Sequence, residues 1–196
     1  MTPLRYVRAA SLFAVAAAAL VALAAPASAA PAAAARSTQA ATSFTATPPK
    51  ASSVAGFVQV RNVTTNKCLD VAHNSTTRGA VVWQWNCGSG NNQLWSKNAL
   101  GNGFYQLQSR SSGLCLDLRI GGGVPPNGTA TQLWDCNSSI SSESWRLDLI
   151  DPFAGTYSVF NATGKCLDLN NGSSADGAKV QVWDCADTDN QHWRFV

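Results

Sequence analysis

Three stretches of the chain combine an acidic side chain, a tryptophan and amide side chains at nearly the same spacing. In the last one, Asp168 follows Cys-Leu, Trp183 stands two residues before a cysteine, and Asn190 and Gln191 precede the final tryptophan. An indole can cover an apolar face, a carboxylate accepts strong hydrogen bonds from hydroxyls, and an amide both donates and accepts. A sugar offers an apolar C–H face and a rim of hydroxyls, so this combination favours a carbohydrate site.

The same set recurs, with changes, in the two earlier stretches. The candidate binding residues along the chain are Asp70, Trp83, Trp85, Asn92, Gln93, Asp117, Gln132, Trp134, Asp168, Gln181, Trp183, Asn190 and Gln191. The first stretch has Trp83 where the other two have Gln132 and Gln181, so we expect a second aromatic platform or an altered sugar preference there. The second has Ser142 and Glu143 in place of Asn and Gln, and because Ser lacks the amide donor, this site is predicted to be the weakest.

Each of these residue types also has a structural interpretation. The recurring aspartates could instead cap turns, since Asp commonly bonds its own backbone in loops. Trp95, Trp145 and Trp193 close the three stretches and are predicted to be core residues, because buried aromatics dominate core energetics. For the other recurring tryptophans, which stand two residues before a cysteine, alternation along a strand allows either core or platform.

The stretches are copies of one unit of 40 to 50 residues, which indicates a repeat architecture. Short apolar or alternating runs separated by Gly-, Asn- and Ser-rich turns predict an all-β barrel or sandwich. Three copies of about four strands, none able to bury its own apolar face, are expected to close into one threefold barrel without exposed strand edges. The repeats are predicted at residues 57–99, 103–149 and 155–196.

All six cysteines lie in the repeats, two in each. Six cysteines allow fifteen pairings, from which the repeat symmetry selects one that staples each unit to itself. The predicted disulfides are Cys68–Cys87, Cys115–Cys136 and Cys166–Cys185. No metal or other cofactor is expected, because there is no Cys-x-x-Cys motif and the two histidines, His73 and His192, are not equivalent.

The N-terminal segment predicts export. Arg5 and Arg8 precede an apolar run, and a small-residue cleavage signal ends near residue 30, as in a secretory signal peptide. Residues 31–56 are rich in Ala, Thr, Ser and Pro and are predicted to be a flexible linker. We therefore expect a secreted, extracellular protein with no membrane span in its mature form, whose folded part is residues 57–196.

The charge of the folded part excludes a polyanionic partner. The formal net charge of +3 comes from basic residues before Phe57; from there on, 10 basic residues stand against 11 acidic ones. No basic stripe remains for nucleic acid or an anionic membrane.

The three motifs Cys-Leu-Asp, Gln-x-Trp-Asp-Cys and Gln-x-Trp, repeated in order, resemble those of ricin B-chain type lectins and family-13 carbohydrate-binding modules. The resemblance covers residues 57–196 and implies a β-trefoil, with a six-stranded barrel, a cap of three hairpins and one shallow sugar site per repeat. It implies that the Asp after Cys-Leu binds sugar hydroxyls and that the aromatic two before the second Cys stacks on the ring. With it in view, stacking becomes the favoured role for Trp85, Trp134 and Trp183.

The expected function is therefore multivalent binding of galactose- or xylose-type glycans by a non-catalytic monomer. A glycosidase needs two carboxylates about 5–10 Å apart across one bond, whereas the recurring Asp residues belong to separate repeats. No Ser/His/Asp arrangement is evident either. Two alternatives remain, a protein-binding or protease-inhibitory β-trefoil and an accessory binding module of a glycoside hydrolase.

Overall fold

Alternating apolar residues and Gly- or Asn-containing turns divide residues 56–196, which the computed structural model describes, into twelve short β-strands. The strands are β1 (Val60–Asn62), β2 (Cys68–Val71), β3 (Val82–Trp85), β4 (Trp95–Gly101), β5 (Phe104–Ser109), β6 (Cys115–Leu118), β7 (Thr129–Trp134), β8 (Trp145–Asp151), β9 (Thr156–Asn161), β10 (Cys166–Leu169), β11 (Val180–Trp183) and β12 (His192–Phe195). Five 3-10 turns connect them, at Ala72–Asn74, Asn91–Gln93, Ser141–Glu143, Asn170–Gly172 and Asp189–Gln191. The predicted signal peptide and nearly all of the predicted linker lie outside the described residues.

Six strands form a closed ring. Strand β1 pairs with β12, β12 with β9, β9 with β8, β8 with β5 and β5 with β4, all antiparallel. The ring closes where Val58 and Trp95 exchange backbone hydrogen bonds of 2.9 and 2.8 Å. Closure leaves no free edge on these strands, which is the usual way for a small antiparallel sheet to avoid edge-to-edge association.

The other six strands form three hairpins, β2–β3, β6–β7 and β10–β11. The hairpins contact one another around a triangle, through the β7–β11 pairing and through isolated bridges that join Val81 to Gln132 and Trp83 to Lys179. A six-stranded ring capped by three hairpins, with four strands per repeat, is a β-trefoil. The fold predicted from the sequence is thus confirmed.

The core is built from the same residues of each repeat. Trp95, Trp145 and Trp193 are completely buried and pack with leucines and valines of the hairpins, as predicted for these three indoles. Each indole N–H donates a 3.0 Å hydrogen bond to the backbone carbonyl of the leucine in a Cys-Leu-Asp sequence, namely Leu69, Leu116 and Leu167. Each core tryptophan therefore satisfies its polar atom and fixes the residue that precedes a candidate aspartate.

Three disulfides join Cys68 to Cys87, Cys115 to Cys136 and Cys166 to Cys185, each within one repeat. No free cysteine remains among the described residues. In the chain-entropy description, a closed loop of this length stabilises the fold by roughly 3 kcal/mol.

The first strand begins at Val60, after Phe57, which is 44% exposed. Asp135 and Asp184 stand just after strands β7 and β11. The two ends of the described segment also meet, because Gln59 and Val196 exchange backbone hydrogen bonds of 2.7 and 3.0 Å.

Candidate functional site

Strand register places the candidate residues of each repeat beside one another. In the third hairpin, Asp168 on β10 lies directly opposite Gln181 on β11, and Cys166 lies opposite Trp183. The other hairpins keep this register, with Asp70 opposite Trp83 and Asp117 opposite Gln132. Directly opposed side chains lie within contact distance, so pairing alone brings each carboxylate to its first partner.

In the third repeat, three amides hold the carboxylate. Asp168 Oδ1 accepts a hydrogen bond from Gln181 Nε2 at 3.0 Å, and Oδ2 accepts one from Asn190 Nδ2 at 2.7 Å and one from Gln191 Nε2 at 3.1 Å. The last two donors come from the 3-10 turn Asp189–Gln191. A carboxylate has about four acceptor positions, so one position on Oδ1 is left for a ligand hydroxyl.

The indole of the third repeat is exposed beside this carboxylate. Trp183 is 43% exposed, whereas Asp168 is only 4% exposed. The two residues line an open depression of about 270 Å³, together with Asn171, Gln181, Asn190 and Gln191. An apolar plate and a partly free acceptor thus face the same shallow space, which suits a ring with hydroxyls on its edge.

In the first repeat the carboxylate is also held by three side-chain donors, but one of them is an indole instead of an amide. Asp70 accepts hydrogen bonds from Asn92 Nδ2 at 2.8 Å and Gln93 Nε2 at 2.7 Å, while the indole N–H of Trp83 donates at 2.7 Å where Gln181 donates in the third repeat. Trp83 also stacks on Trp85, with ring centroids 5.2 Å apart and planes inclined by 27°. Trp83 thus supplies the missing donor and widens the aromatic surface.

Burial raises the pKa of the Asp70 carboxyl above its usual value, although the hydrogen bonds from Gln93 and Trp83 oppose the shift. Asp176 adds a smaller repulsion in the same direction as burial. The depression around Asp70 measures about 390 Å³ and includes both indoles and His73. This depression has a larger volume than the depression of the third repeat.

The second repeat lacks most of these contacts. Asp117 accepts a single side-chain hydrogen bond, from Gln132 Nε2 at 2.8 Å. Ser142 and Glu143 make no hydrogen bond to it within residues 56–196. The depression, about 400 Å³, is bordered by Trp134 and by the glycines 121–123, in a loop that has no 3-10 turn such as follows Asp70 and Asp168. This site therefore holds its carboxylate less firmly than the others.

The exposed indoles of the first and third repeats each lie against a glycine turn of another repeat. A Cβ on Gly177, in the third repeat, would lie 3.6 Å from ring atoms of both Trp83 and Trp85, and one on Gly128, in the second repeat, 3.6 Å from Trp183. Both glycines have positive φ, +79° and +87°. Their backbone N–H groups donate 2.9 Å hydrogen bonds to strands β3 and β11. The platforms therefore depend on contacts between repeats.

A polar contact accompanies each of these turns. In each repeat, the side chain just before the turn glycine hydrogen-bonds the side chain just after the exposed indole of a neighbouring repeat. The three pairs are Arg78 with Asp135, Asn127 with Asp184, and Asp176 with Asn86. Hydrogen bonds from Lys165 and Asn127 hold the pKa of the exposed Asp184 below its usual value. The three contacts run from the first repeat to the second, from the second to the third, and from the third back to the first.

The geometry decides between the two interpretations left open for the aspartates and the three indoles. Every hydrogen bond to the carboxylates of Asp70, Asp117 and Asp168 comes from a side chain, so these carboxylates do not cap turns. Trp85 and Trp134, 40% and 42% exposed, are no more core residues than Trp183. The candidate glutamines, in contrast, are at most 8% exposed and act mainly by holding the carboxylates.

His73 and Asn171, which line the first and third depressions, were not among the binding residues predicted from the sequence. His73 and Asn171 each stand three residues after the candidate aspartate, and both have positive φ, +55° and +54°. Their equal spacing from Asp70 and Asp168 could have identified them. Because one is a histidine and the other an asparagine, residue type alone does not mark the two positions as equivalent.

Within the described part of the chain, no group of three His, Cys, Asp or Glu side chains is arranged to hold a metal ion. Among the same residues, no helix has both the length and the apolar character needed to cross a membrane.

Comparison with known proteins agrees with this geometry. Residues 56–193 match the family described as ricin-type beta-trefoil lectin domain. A search of the curated proteins finds no significant match.

Several solved structures are similar in fold. The designed threefold-symmetric protein ThreeFoil is 34% identical, with a TM-score of 0.66 over 72% of this chain and 98% of that one. An exo-β-1,3-galactanase from Clostridium thermocellum is 25% identical, with a TM-score of 0.67; the match covers 72% of this chain but only 30% of the galactanase. A ricin B-like lectin from Macrolepiota procera, solved with lactose, is 23% identical, with a TM-score of 0.59 over 71% of this chain and 93% of that one.

Proposed function

The chain belongs to the family of ricin-type β-trefoil lectin domains, and on that basis we propose that it is a secreted, non-catalytic protein that binds glycans through its repeats. One observation carries the proposal most strongly. In the first and third repeats an exposed indole stands beside a carboxylate that three side-chain N–H groups hold in place. A nearly buried carboxylate that is preorganised at the edge of an open depression, beside an exposed indole, is suited to a ligand.

The proposed contacts follow from the free positions of these groups. The indole of Trp183 covers the C–H face of one sugar ring, and the open acceptor of Asp168 Oδ1 takes a hydroxyl proton. Asn190 donates a side-chain N–H to Asp168 Oδ2, and its side-chain oxygen Oδ1 is left to accept a second sugar hydroxyl. Neutral amides rather than cations hold the carboxylate, so no ion pair competes with ligand hydroxyls for its free acceptor position.

Galactose- or xylose-type sugars are the proposed ligands. The lactose bound by the Macrolepiota procera lectin and the galactan-degrading activity in the name of the Clostridium protein both support this class. Sites as shallow as these are individually weak, and two or three of them on one rigid body raise the affinity for a polymer through effective concentration. The mature protein is proposed to act as a monomer outside the cell, where the three disulfides persist.

A second candidate function is accessory binding for a glycoside hydrolase. Its support is the likeness to the galactanase, of which the match covers only 30%. In that case the domain would direct a separate catalytic unit to its polymer. A protein-binding or inhibitory trefoil has less support, because it gives no purpose to the exposed indoles beside the held carboxylates.

A titration tests the proposal. The full chain is titrated with lactose and with xylotriose by calorimetry and is applied to a glycan array. The variant Trp85→Ala/Trp134→Ala/Trp183→Ala is expected to lose binding and keep its melting temperature. Phe153→Ala removes a completely exposed aromatic outside the three depressions and is expected to behave as the wild type.

Failure of the wild type to bind any sugar on the array, or unchanged binding by the triple variant, would refute the lectin assignment. A parallel incubation with galactan and xylan checks the absence of catalysis. New reducing ends in amounts proportional to the protein would contradict a purely binding role.

A further inference from the structure

Glu143 occupies a position that holds a glutamine in the other two repeats. It stands two residues before the core Trp145, as Gln93 and Gln191 stand before Trp95 and Trp193. Like them it ends a 3-10 turn, Ser141–Glu143, and its side chain is completely buried. The exchange replaces an amide N–H₂ by a carboxyl oxygen at the same place.

The glutamine amide has two tasks in the sister repeats. Its oxygen accepts the backbone N–H of the residue after the second cysteine, from Gly88 to Gln93 at 2.7 Å and from Ala186 to Gln191 at 2.8 Å. Its nitrogen donates one hydrogen bond to the candidate aspartate and another to a backbone carbonyl, that of Asn86 or Asp184. The side-chain nitrogen of the glutamine therefore lies between two hydrogen-bond acceptors, and this position requires a donor.

In the second repeat only the first task is performed. Glu143 Oε2 accepts the backbone N–H of Asn137 at 2.7 Å and the side-chain amide of Gln106 at 3.1 Å. Glu143 Oε1, which takes the place of the amide nitrogen, is buried and has no hydrogen-bond partner. An ionised carboxylate would present a second acceptor where the sister repeats have a donor, and leaving a buried acceptor unpaired is unfavourable.

The groups around Glu143 include no compensating cation. Asp117 on β6 and Asp135 beyond β7 act on it by repulsion, and Arg78 is paired to Asp135. Strand β5 contributes the neutral Gln106, and from β9 the neutral Asn161 donates to the Ser142 carbonyl. Among the described residues no ion pair includes Glu143.

Burial raises the pKa of the Glu143 carboxyl. The N–H of Asn137 opposes the shift, and repulsion from Asp117 adds to it. A proton on Oε1 would remove the conflict, because it turns the unpaired acceptor into a donor. Asp117, which has only Gln132 as a partner, then has a second one.

We propose that Glu143 is a positioning residue that must be protonated for the second site to bind sugar. Its Oε1–H donates to Asp117 in place of the amide N–H that Gln93 and Gln191 supply to their aspartates. The inference rests on the proposed function, since it names what controls one of the three sugar sites. Loss of the proton at higher pH leaves two like charges in one buried place, and Asp117 loses its fixed position.

The direction of the pH dependence follows from this protonation. Binding at the second site decreases as pH rises through the raised pKa of Glu143, whereas the first and third sites have amides that do not titrate. Protonation of Glu143 also favours folding, because its pKa is higher in the folded than in the unfolded chain. Its contribution to stability is complete below the ordinary carboxyl pKa and disappears as pH rises through the raised value.

The experiment isolates the second site in the full chain. The variant Trp83→Ala/Trp85→Ala/Trp183→Ala removes the indole platforms of the other two sites, and lactose is titrated into it from about pH 5 to about pH 9. The same titration follows after adding Glu143→Gln. We expect affinity to fall with rising pH when Glu143 is present, and to be flat and at least roughly tenfold higher at the alkaline end with Gln.

The reverse exchange provides a matched control in the third repeat. Gln191→Glu, in a variant that also carries Trp83→Ala, Trp85→Ala and Trp134→Ala, is expected to give the third site the alkaline loss of binding. Equal pH profiles for Glu and Gln at position 143 would overturn the inference. So would a second site that binds at no pH with Glu and is not restored by Gln.

A measurement without sugar separates this inference from the lectin assignment. Carboxyl groups are labelled with ¹³C in the otherwise unaltered chain, and the Glu143 resonance, assigned by its absence in Glu143→Gln, is followed with pH. A titration midpoint clearly above that of an ordinary Glu is expected, and an ordinary midpoint would exclude the protonated form. If Glu143 titrates as expected but no sugar binds to the wild type, it is the proposed function that fails.

Discussion

The indole nitrogen of Trp193 donates a 3.0 Å hydrogen bond to the carbonyl of Leu167, the residue immediately before Asp168. A completely buried side chain of the last strand thus fixes the backbone beside a carboxylate at the surface. Trp95 and Leu69 have the same relationship in the first repeat. Both ends of the Gln-x-Trp motif therefore contact the candidate site. The glutamine donates a hydrogen bond to the carboxylate, and the tryptophan donates one to the backbone of the strand that carries it.

Trp193→Phe should weaken both the fold and the third site. The change leaves the buried Leu167 carbonyl without a donor and creates a small cavity, which together cost about 2 to 4 kcal/mol. Urea denaturation measures the loss of stability, and the indole N–H signal of Trp183, followed by NMR during a lactose titration, measures the affinity of the third site. Trp95→Phe is the matched control and should affect the first site instead. Unchanged third-site affinity in Trp193→Phe would mean that the bond supports the core alone.

Gly177→Ala should impair the first site although Gly177 belongs to the third repeat. Alanine at φ +79° costs about 1 to 2 kcal/mol, and relief of this strain moves the turn that supports Trp83 and Trp85. Gly128→Ala, at φ +87°, should impair the third site through Trp183 in the same way. Site-resolved NMR titration with lactose distinguishes the two variants. Loss at the site of the mutated repeat itself would contradict the prediction.

The first site should lose affinity on acidification. Burial raises the pKa of Asp70, so its carboxylate is protonated at a higher pH than an ordinary aspartate, and its acceptor positions are then reduced. Affinity should fall by up to about tenfold per pH unit below this pKa. Because protonation of Asp70 favours the folded state, binding should be lost before the domain unfolds in acid.

Lactose titration of Trp134→Ala/Trp183→Ala, with a melting curve at each pH, checks this expectation. A constant affinity down to the onset of acid unfolding would contradict it.

Binding to a polymer should depend on the number of intact platforms more steeply than binding to a small sugar. Trp85→Ala and Trp183→Ala each remove one exposed indole, so for lactose each lowers the number of sites. On immobilised galactan or xylan, the double variant should lose more than the product of the single losses, because simultaneous attachment adds effective concentration. Surface plasmon resonance compares the four proteins. Independent, multiplicative losses would indicate that the sites never act together.

The sequence was sufficient to predict the elements that repeat. The repeated Cys-Leu-Asp and Gln/Glu-x-Trp motifs predicted an all-β barrel or sandwich of three like units, and the resemblance to ricin B-chain type lectins implied the twelve-stranded trefoil. The pairing of Asp168 with Gln181 also follows from hairpin register. Exposure of Trp183 did not follow, since alternation alone places an indole equally well inside or outside.

The contacts between repeats were not predictable from the sequence. Gly177 lies about ninety positions from the indoles it supports, and its own copy shows no sign of that contact. Glu143 was recognised as a departure, but its effect depends on where Oε1 lies relative to Asp117, which only the three-dimensional arrangement shows. Trp83 was expected as a platform or as a change in preference, and its donation to Asp70 depends on side-chain direction.

The mutual hydrogen bonds of Gln59 and Val196 bring the two ends of the described segment to one seam of the barrel. Such adjacency permits a circular permutant, in which a short linker joins the old ends and new ones open at the exposed Phe153 in the β8–β9 connection. In that rearranged chain, all three disulfides and all three hairpins keep their internal order. The proposed sugar sites could thus be presented to a fused enzyme or a solid support from a second point at the same end of the barrel, because Thr156 at the start of β9 pairs with Arg194 near the end of β12.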